Sequence, residues 1–342
     1  MAHETHPLSP WQMLIPLGAA TLIAAFMALM VGGAAISPQE VLRHCGQVLG
    51  GQAPDDVTGR ILFETRLPRI VLTLAVGAAM GLAGLTAQTL FRNPLASPYV
   101  MGVSSGAAVG AVFGMLLVGR MIGFAAVSLF SVATGLAVTA AVFLLARRGG
   151  HFGQSLLLAG IAVSAFCSAL TAAALYLAGE RLQTLVFWLM GGLWQATWRD
   201  ALVMAPVAAA CFTVLVFLAP AMDVALVGER SAGDLGVNVR RLQKGLLILV
   251  AVTTSVAVSL TGVIGFVGLI VPHLLRMTIG AGHRDLVPAC AVGGALLLLV
   301  ADTLARTVAA PAEVPVGILT ALVGAPVFLW LLQRRGVGRP AA

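Results

Sequence analysis

Long stretches without a charged side chain constrain this chain more than any other feature of its sequence. No Asp, Glu, Lys or Arg occurs in residues 70–91, 93–119, 121–146, 149–179, 201–222, 245–275 and 314–333. A helix needs about 20 predominantly apolar residues to cross the hydrocarbon core of a bilayer. Spanning helices and short connections therefore account for most of the chain, and we expect one transmembrane domain over residues 1–342.

The composition sets the expected fold class. Charged residues make up 10% of the 342 residues, whereas soluble domains carry about 25%. The pattern predicts an all-α polytopic membrane protein with about ten transmembrane helices, since each needs roughly 20 apolar residues. The expected spans are residues 12–35, 67–91, 96–118, 122–146, 153–178, 199–220, 244–263, 266–280, 286–307 and 314–333.

Two intervals need a separate interpretation. Glycines at 262, 265 and 268 predict a helix break inside the long run 245–275. The interval 182–198 is free of charge but short, and it carries Trp188, Trp194 and Trp198. Tryptophan is enriched where a membrane meets water, so this interval is predicted to lie at the interface.

Basic residues are distributed unequally between the two sides that ten spans define. One side has 12 basic and 5 acidic residues, a net charge of 12 − 5 = +7, and the other has 8 of each, a net charge of 0. Cytoplasmic connections carry an excess of Lys and Arg. The first side, which includes Arg92, the segment around 221–243 and both termini, is therefore predicted to be cytoplasmic. The positive charge of the chain indicates topology and not nucleic-acid binding, because no groove-reading motif is present.

The longest cytoplasmic connection, residues 221–243, alternates apolar and charged positions. Ser231 is a helix-capping residue type, and Asp234 would then lie in the first turn of that helix. We expect two short helices joined by glycines here. The alternative is a solvated connector anchored by arginines near the lipid surface.

The residues exclude one class of chemistry. A phosphate-binding loop of an ATPase ends in Lys-Ser or Lys-Thr, and the one lysine of this chain, Lys244, is followed by Gly245. If ATP drives this protein, another subunit binds it. The cysteines at 45, 167, 211 and 290 show no metal-binding spacing, so we expect no catalytic, cofactor-binding or metal-binding residues in this chain.

Charged residues near the outer side suggest contacts with a partner. Asp302 lies four residues before Arg306 on one helix face, so an ion pair for structure or docking is favoured over a proton relay. Arg66 and Arg69 flank Pro68 at the predicted outer mouth. They either reach toward lipid headgroups or, with Arg306, bind carboxylates of a protein partner, because guanidinium groups pair with carboxylates in a bidentate manner.

Six motifs, in order along the chain, make it resemble one family. They are residues 66–69 (RLPR), 91–98 (FRNPLASP), 102–107 (GVSSGA), 228–236 (GERSAGDLG), 265–276 (GFVGLIVPHLLR) and 315–326 (PVGILTALVGAP). The chain is similar over residues 60–330 to the permease subunits of type II ABC importers for iron-siderophores, haem and vitamin B12. The glycines at 102, 106, 110 and 114 also suit close helix packing.

The resemblance implies the assembly. The permease would work as a homodimer or heterodimer in the bacterial inner membrane, with two cytoplasmic ATPases that bind ATP and Mg²⁺ and a periplasmic binding protein that delivers substrate. Short cytoplasmic coupling helices would contact the ATPases, and the span at 153–178 would line the substrate path.

The resemblance also implies roles for particular residues. Arg66, Arg69 and Arg306 would receive acidic residues of the binding protein. The ATPase would be contacted through Gly228, Glu229, Arg230, Ala232, Asp234, Leu235 and Gly236. The turn at Asn93, Pro94 and Leu95 would form the cytoplasmic gate.

Several functions stay open at this stage. Ferric siderophore is the first expectation for the substrate because that class is the broadest, followed by haem and then cobalamin. An ion-driven secondary transporter is disfavoured, because its mid-membrane acids are almost missing from these runs. A membrane scaffold without transport is disfavoured by the coupling motif.

Overall fold

The computed structural model describes residues 10–52, 56–117, 124–147 and 152–336. The described residues form helices and turns, with no strand among them, which confirms the predicted all-α class. The α-helices are α1 (Pro10–Met30), α2 (Pro38–Leu49), α3 (Val57–Arg60), α4 (Leu67–Phe91), α5 (Val103–Leu117), α6 (Phe124–Ala146), α7 (Phe152–Tyr176), α8 (Leu182–Leu189), α9 (Trp198–Val227), α10 (Glu229–Asp234), α11 (Val239–Thr261), α12 (Val267–Ile279), α13 (His283–Ala305) and α14 (Val316–Gly336).

The helix α4 is the centre of the molecule. It packs against α9, α11, α12 and α13, and most of its residues are buried. Glycines allow this close packing: a Cβ atom on Gly77 would lie 2.4 Å from the carbonyl oxygen of Gly294, and one on Gly84 would lie 1.8 Å from that of Gly268. Small residues are enriched where apolar helices meet in membranes, because they let the two backbones approach closely.

The glycine series of α5 makes the close packing that its spacing predicted, and the partner helix is α6. A Cβ atom on Gly106 would lie 2.7 Å from Cβ of Val138, and one on Gly110 would lie 1.8 Å from Oγ1 of Thr134. The hydroxyl of Ser131 on α6 donates a 2.9 Å hydrogen bond to the carbonyl of Ala107. The glycine face of α5 is thus a surface that packs against α6.

Apolar helices coincide with all ten predicted spans. Seven are long and apolar enough to cross a membrane, and three shorter apolar helices, Val103–Leu117, Val267–Ile279 and Val316–Trp330, match the other three. Because helices of that shorter length do not establish a crossing by themselves, the number of ten spans stays a prediction. Both termini, Arg120 and Arg148 lie outside the described residues, so the predicted side of the termini stays a prediction as well.

The structure shows the break that was expected in one of the two intervals, whereas the interfacial position expected of the other stays a prediction. The run 245–275 is broken between Thr261 and Val267, with Gly262 in a positive-φ conformation at 69°. The interval 182–198 forms the eight-residue helix α8 and a turn before α9 begins at Trp198. An eight-residue helix is far shorter than the roughly 20 residues needed to cross the hydrocarbon core.

The connection over residues 221–243 differs from its prediction. The helix α9 continues to Val227, so residues 221–227 are not part of the loop, and one short helix, α10, replaces the two that were expected. Ser231 lies inside α10 and does not cap it, because the amide of Ala232 already bonds to the carbonyl of Gly228 at 3.0 Å. Asp234 ends α10 instead of lying in its first turn.

Candidate functional site

The end of the bundle that is predicted to face outward brings together the three arginines that the sequence singled out. Arg66 ends a π-helical turn, Ile61–Arg66, that leads into α4. Arg66 is 4% exposed, and its guanidinium group donates to the backbone carbonyls of Leu29 and Ala34, at and just after the end of α1. Arg66 therefore fixes the exit of α1 against the start of α4.

Arg69, one turn further along, lies in a buried charge network. It binds Asp302 of α13 with an Nη2 to Oδ1 distance of 2.8 Å, and its Nε lies 3.1 Å from both carboxylate oxygens. Its Nη1 also donates to Glu313 at 2.9 Å. Hydrogen-bonded pairing of this kind is what allows charges to be buried in an apolar interior.

Arg306 completes the network from the end of α13. Its Nε lies 3.5 Å from Oδ2 of Asp302, which confirms the contact predicted from their four-residue spacing. Its Nη2 donates to the carbonyl of Ala28 at 3.3 Å. Arg69 and Arg306 are both 6% exposed, and Asp302 is completely buried.

The internal partners of the three arginines bear on the docking prediction. Arg66, Arg69 and Arg306 are close together, as docking requires, but each already has partners within the chain. The exposed member is Glu313, whose side chain is 37% accessible. The sequence missed the pairing of Arg69 with Asp302, because 233 residues separate them. The docking role itself stays a prediction.

At the opposite end of α4, the residues of the predicted gate form a tight turn. Arg92 ends α4 in the left-handed conformation, with φ at 49°. The Asn93 side chain accepts a 2.9 Å hydrogen bond from the amide of Leu95, which makes an Asx turn that leads into Pro94. The turn is therefore fixed by local chemistry, and its gating role stays a prediction.

Two contacts join this turn to the end of α9 that is predicted to be cytoplasmic. Arg92 Nη2 donates to the carbonyl of Ala225 at 2.9 Å. Below it, the imidazole of His283 bridges two helices: its Nδ1 lies 2.6 Å from Oδ1 of Asp223, and its Nε2 lies 2.6 Å from the hydroxyl of Thr89. No pattern in the sequence indicated this bridge, because Asp223 and Thr89 lie 60 and 194 residues from His283.

The predicted coupling segment is a compact exposed structure that follows α9 directly. Gly228 adopts φ 143° and Gly236 adopts φ 79°, conformations that favour glycine. Ala232 is buried and anchors α10, since its carbonyl accepts from the amide of Val237 at 2.9 Å. Arg230, Asp234 and Leu235 are exposed, and Leu235 is 68% accessible. The contact of this segment with an ATPase stays a prediction.

A broad apolar groove of about 870 Å³ lies beside the break between α11 and α12. Phe266 begins α12 with φ at 66°, a rare conformation for a bulky residue, and its ring packs where a Cβ atom on Gly324 would stand. Tyr99 donates its hydroxyl hydrogen to the carbonyl of Ile264 at the same break. The lining includes Tyr99, Met190, Phe266, Ile318, Leu322 and Pro326.

A solved structure shares this arrangement. The chain aligns with an inward-facing metal-chelate type ABC transporter with a TM-score of 0.84 and 32% identity, over 94% of this chain and 99% of the other. The architecture is thus that of a polytopic permease of an ABC importer.

Relatives identify the family. The model of the FecCD transport family matches residues 20–334. The hemin transport permease HmuU of Yersinia pestis is 42% identical over 295 residues, covering 84% of this chain and 88% of that protein. The cobalamin import permease BtuC of Halobacterium salinarum is 40% identical over 328 residues, covering 95% and 87%. The chain belongs to the FecCD transport family, which confirms the resemblance carried by the six motifs.

Proposed function

We propose that this chain is the permease through which an ATP-driven importer moves haem, an iron chelate, from the periplasm to the cytoplasm. The observation that carries the proposal is the 42% identity to a hemin permease over 84% of the chain. This moves haem ahead of ferric siderophore, which was the first expectation from the sequence.

The size and the lining of the apolar groove are suited to a macrocyclic substrate. Its volume of about 870 Å³ lies within the roughly 300–1,000 Å³ typical of sites for small molecules and cofactors. Its lining is almost free of charged groups. A large planar ligand would contact such walls through its apolar faces, without strong polar interactions that would hold it in the path.

The cytoplasmic contacts support a coupling role for α10. A displacement of α10 by an ATPase would act on the end of α9, because α10 follows α9 after Gly228 alone. The Arg92–Ala225 hydrogen bond and the Asp223–His283–Thr89 bridge connect that end to α4 and its Asn93 turn. The predicted coupling segment and the predicted gate are therefore joined by contiguous contacts, through which a displacement of one can reach the other.

The outer network supports a modified form of the docking proposal. Nη1 of Arg69 is held by Glu313, the accessible carboxylate of the network. A carboxylate of the binding protein would take the position of Glu313 and retain the charge balance. Arg66 and Arg306 would hold the helix ends in place during this exchange.

In this proposal, two permease chains lie in the bacterial inner membrane. Two ATPases bind them from the cytoplasm, and one binding protein docks from the periplasm. The permease pair is a homodimer or a heterodimer. ATP and Mg²⁺ bind the ATPases, and this chain supplies only the path and its docking surfaces.

The test is transport by the complete complex in proteoliposomes. The permease is purified with its ATPase, and uptake of radiolabelled haemin is measured with ATP and the binding protein present. We expect haemin uptake that stops when ATP is replaced by a non-hydrolysable analogue. Uptake of labelled cobalamin, or of a ferric hydroxamate siderophore, without uptake of haemin would contradict the proposal.

Cobalamin is the second candidate. It is favoured by one specific observation, the 40% identity to the cobalamin permease of Halobacterium salinarum over 95% of this chain, a longer alignment than that of the hemin permease. Competition between haemin and cobalamin for uptake separates the two candidates in the same assay.

A further inference from the structure

A second groove lies between α6 and α11, away from the one assigned to the substrate. It encloses about 220 Å³, and it shares no lining residue with the larger groove. Its walls are apolar, and its mouth holds Lys244. The lining consists of Leu136, Thr139, Ala140, Phe143, Lys244, Leu247, Ile248 and Ala251.

The walls of this groove are suited to an acyl chain. Thr139 is the one hydroxyl in the wall, and it donates internally to the carbonyl of Gly135 at 2.8 Å, so it does not make the wall polar. Ile248 is 63% exposed, and the neighbouring Leu144 and Leu145 of α6 are 56% and 54% exposed. Apolar side chains this exposed on a membrane helix form a surface for hydrocarbon.

The mouth of the groove is cationic. Lys244, the one lysine of the sequence, is exposed in the second turn of α11. Arg147 follows the end of α6, and its guanidinium carbon lies 5.8 Å from the ring centroid of Phe143, which is part of the wall. Within the described part of the chain, neither Lys244 nor Arg147 forms an ion pair with a carboxylate.

The positions of Lys244 and Arg147 indicate which leaflet of the bilayer the groove faces. Both lie at the end of the bundle that also holds Arg92, the predicted cytoplasmic end. The cytoplasmic leaflet contains anionic lipids, and basic pockets between spanning helices on that side bind their headgroups. A phosphate between Lys244 and Arg147 would place an acyl chain along α6 and α11.

We propose that the groove between α6 and α11 is a binding site for an anionic phospholipid of the inner leaflet. Lys244 and Arg147 bind the phosphate, and the apolar wall from Phe143 to Leu136 holds part of one acyl chain. The site does not depend on the identity of the transported substrate.

Native mass spectrometry of the delipidated protein tests this proposal, with phosphatidylglycerol and phosphatidylcholine as probes. We expect tighter binding of phosphatidylglycerol. The double variant Lys244→Gln/Arg147→Gln should lose this preference, with an apparent affinity for phosphatidylglycerol lower by about tenfold or more, as expected for two juxtamembrane charges. The matched control is Arg284→Gln, which removes an exposed positive charge at the start of α13 and should bind as wild type does.

A second pair of variants separates the groove from general surface charge. Ala140→Phe fills the groove and leaves both charges in place, whereas Ala141→Phe adds the same side chain at an exposed position outside the lining. We expect loss of phosphatidylglycerol binding only in Ala140→Phe. Equal binding of the two lipids by the wild type, or unchanged binding in Lys244→Gln/Arg147→Gln, would overturn the proposal. A monomer–dimer shift in Ala140→Phe without loss of lipid would instead assign the groove to a second copy of the chain.

Discussion

Arg69 and Asp302 form a buried salt bridge of 2.8 Å that joins the start of α4 to the end of α13. Asp302 also lies 3.5 Å from Arg306, so one carboxylate serves two guanidinium groups. Removing a single partner from such a pair leaves an uncompensated charge away from water, which is the expensive outcome.

The first prediction concerns the stability of this network. Asp302→Asn should lower the free energy of unfolding by about 3–5 kcal/mol, because Arg69 and Arg306 lose their shared counter-charge. Thermal unfolding of the detergent-purified protein measures the change. Glu180→Gln, at an exposed position before α8, is the control and should change the melting temperature little. A melting temperature of Asp302→Asn equal to that of the control would show that the buried pair does not stabilise the fold.

The second prediction concerns Glu313 and docking. If a carboxylate of the binding protein replaces Glu313 on Arg69, Glu313→Gln should strengthen association with the binding protein, because the competing charge is gone. Arg69→Gln should weaken association, by about 2–5 kcal/mol if the contact is buried in the complex. Binding to permease in nanodiscs measures both effects, with ATPase association as a check on folding. Weaker association of the well-folded Glu313→Gln variant would argue against the exchange.

The third prediction concerns α10. Replacing Glu229 and Arg230 together by alanine should leave the permease folded and reduce ATPase association or substrate-stimulated hydrolysis. Co-purification and ATPase assays give the two readouts. Arg284→Ala, at the start of α13 on the same side, is the matched control. Normal co-purification and transport by the double variant would exclude these residues from the contact.

The fourth prediction concerns topology. A thiol reagent that does not cross the membrane should label Gln52→Cys in intact cells and should not label Leu235→Cys, because the charge difference of +7 against 0 places residue 235 in the cytoplasm. Both positions are exposed. The background needs Cys45→Ser, because Cys45 is accessible in part. External labelling at 235 would invert the orientation.

The fifth prediction concerns the central glycines. Gly77→Ala would place a methyl group 2.4 Å from the carbonyl oxygen of Gly294, so it should lower the free energy of unfolding by about 1–3 kcal/mol through overpacking. Gly18→Ala is the control, because a Cβ atom there has nothing within 4 Å. The two melting temperatures, measured in the same detergent, should differ. Equal values would mean that the backbone adjusts without cost.

The sequence predicted what depends on local chemistry. The charge-free runs located the apolar helices, the glycine spacing of α5 predicted close packing without naming the partner helix, and the four-residue spacing predicted the Asp302–Arg306 contact. The break after Thr261 followed from its glycines. Each of these signals lies within one continuous segment of chain, where periodicity and turn chemistry act directly.

Contacts between distant segments escaped prediction. Nothing near Arg69 in the sequence points to Asp302, and Asp223, His283 and Thr89 carry no shared motif. The error at Ser231 has a local cause. The apolar residues after Pro220 extend α9 to Val227, and Gly228 then begins α10, so Ser231 enters the helix as an interior residue.

The glycine contacts of α4 have a mechanical consequence. Because Gly77 meets Gly294 and Gly84 meets Gly268 with less than a methyl group of space, α4 cannot rotate or slide against α12 and α13 without a backbone collision. We expect these three helices to move as one unit during transport. Alternating access would then come from hinges elsewhere, such as the break between Gly262 and Phe266 or the turn after Arg92, and from rearrangement of the less tightly packed helices.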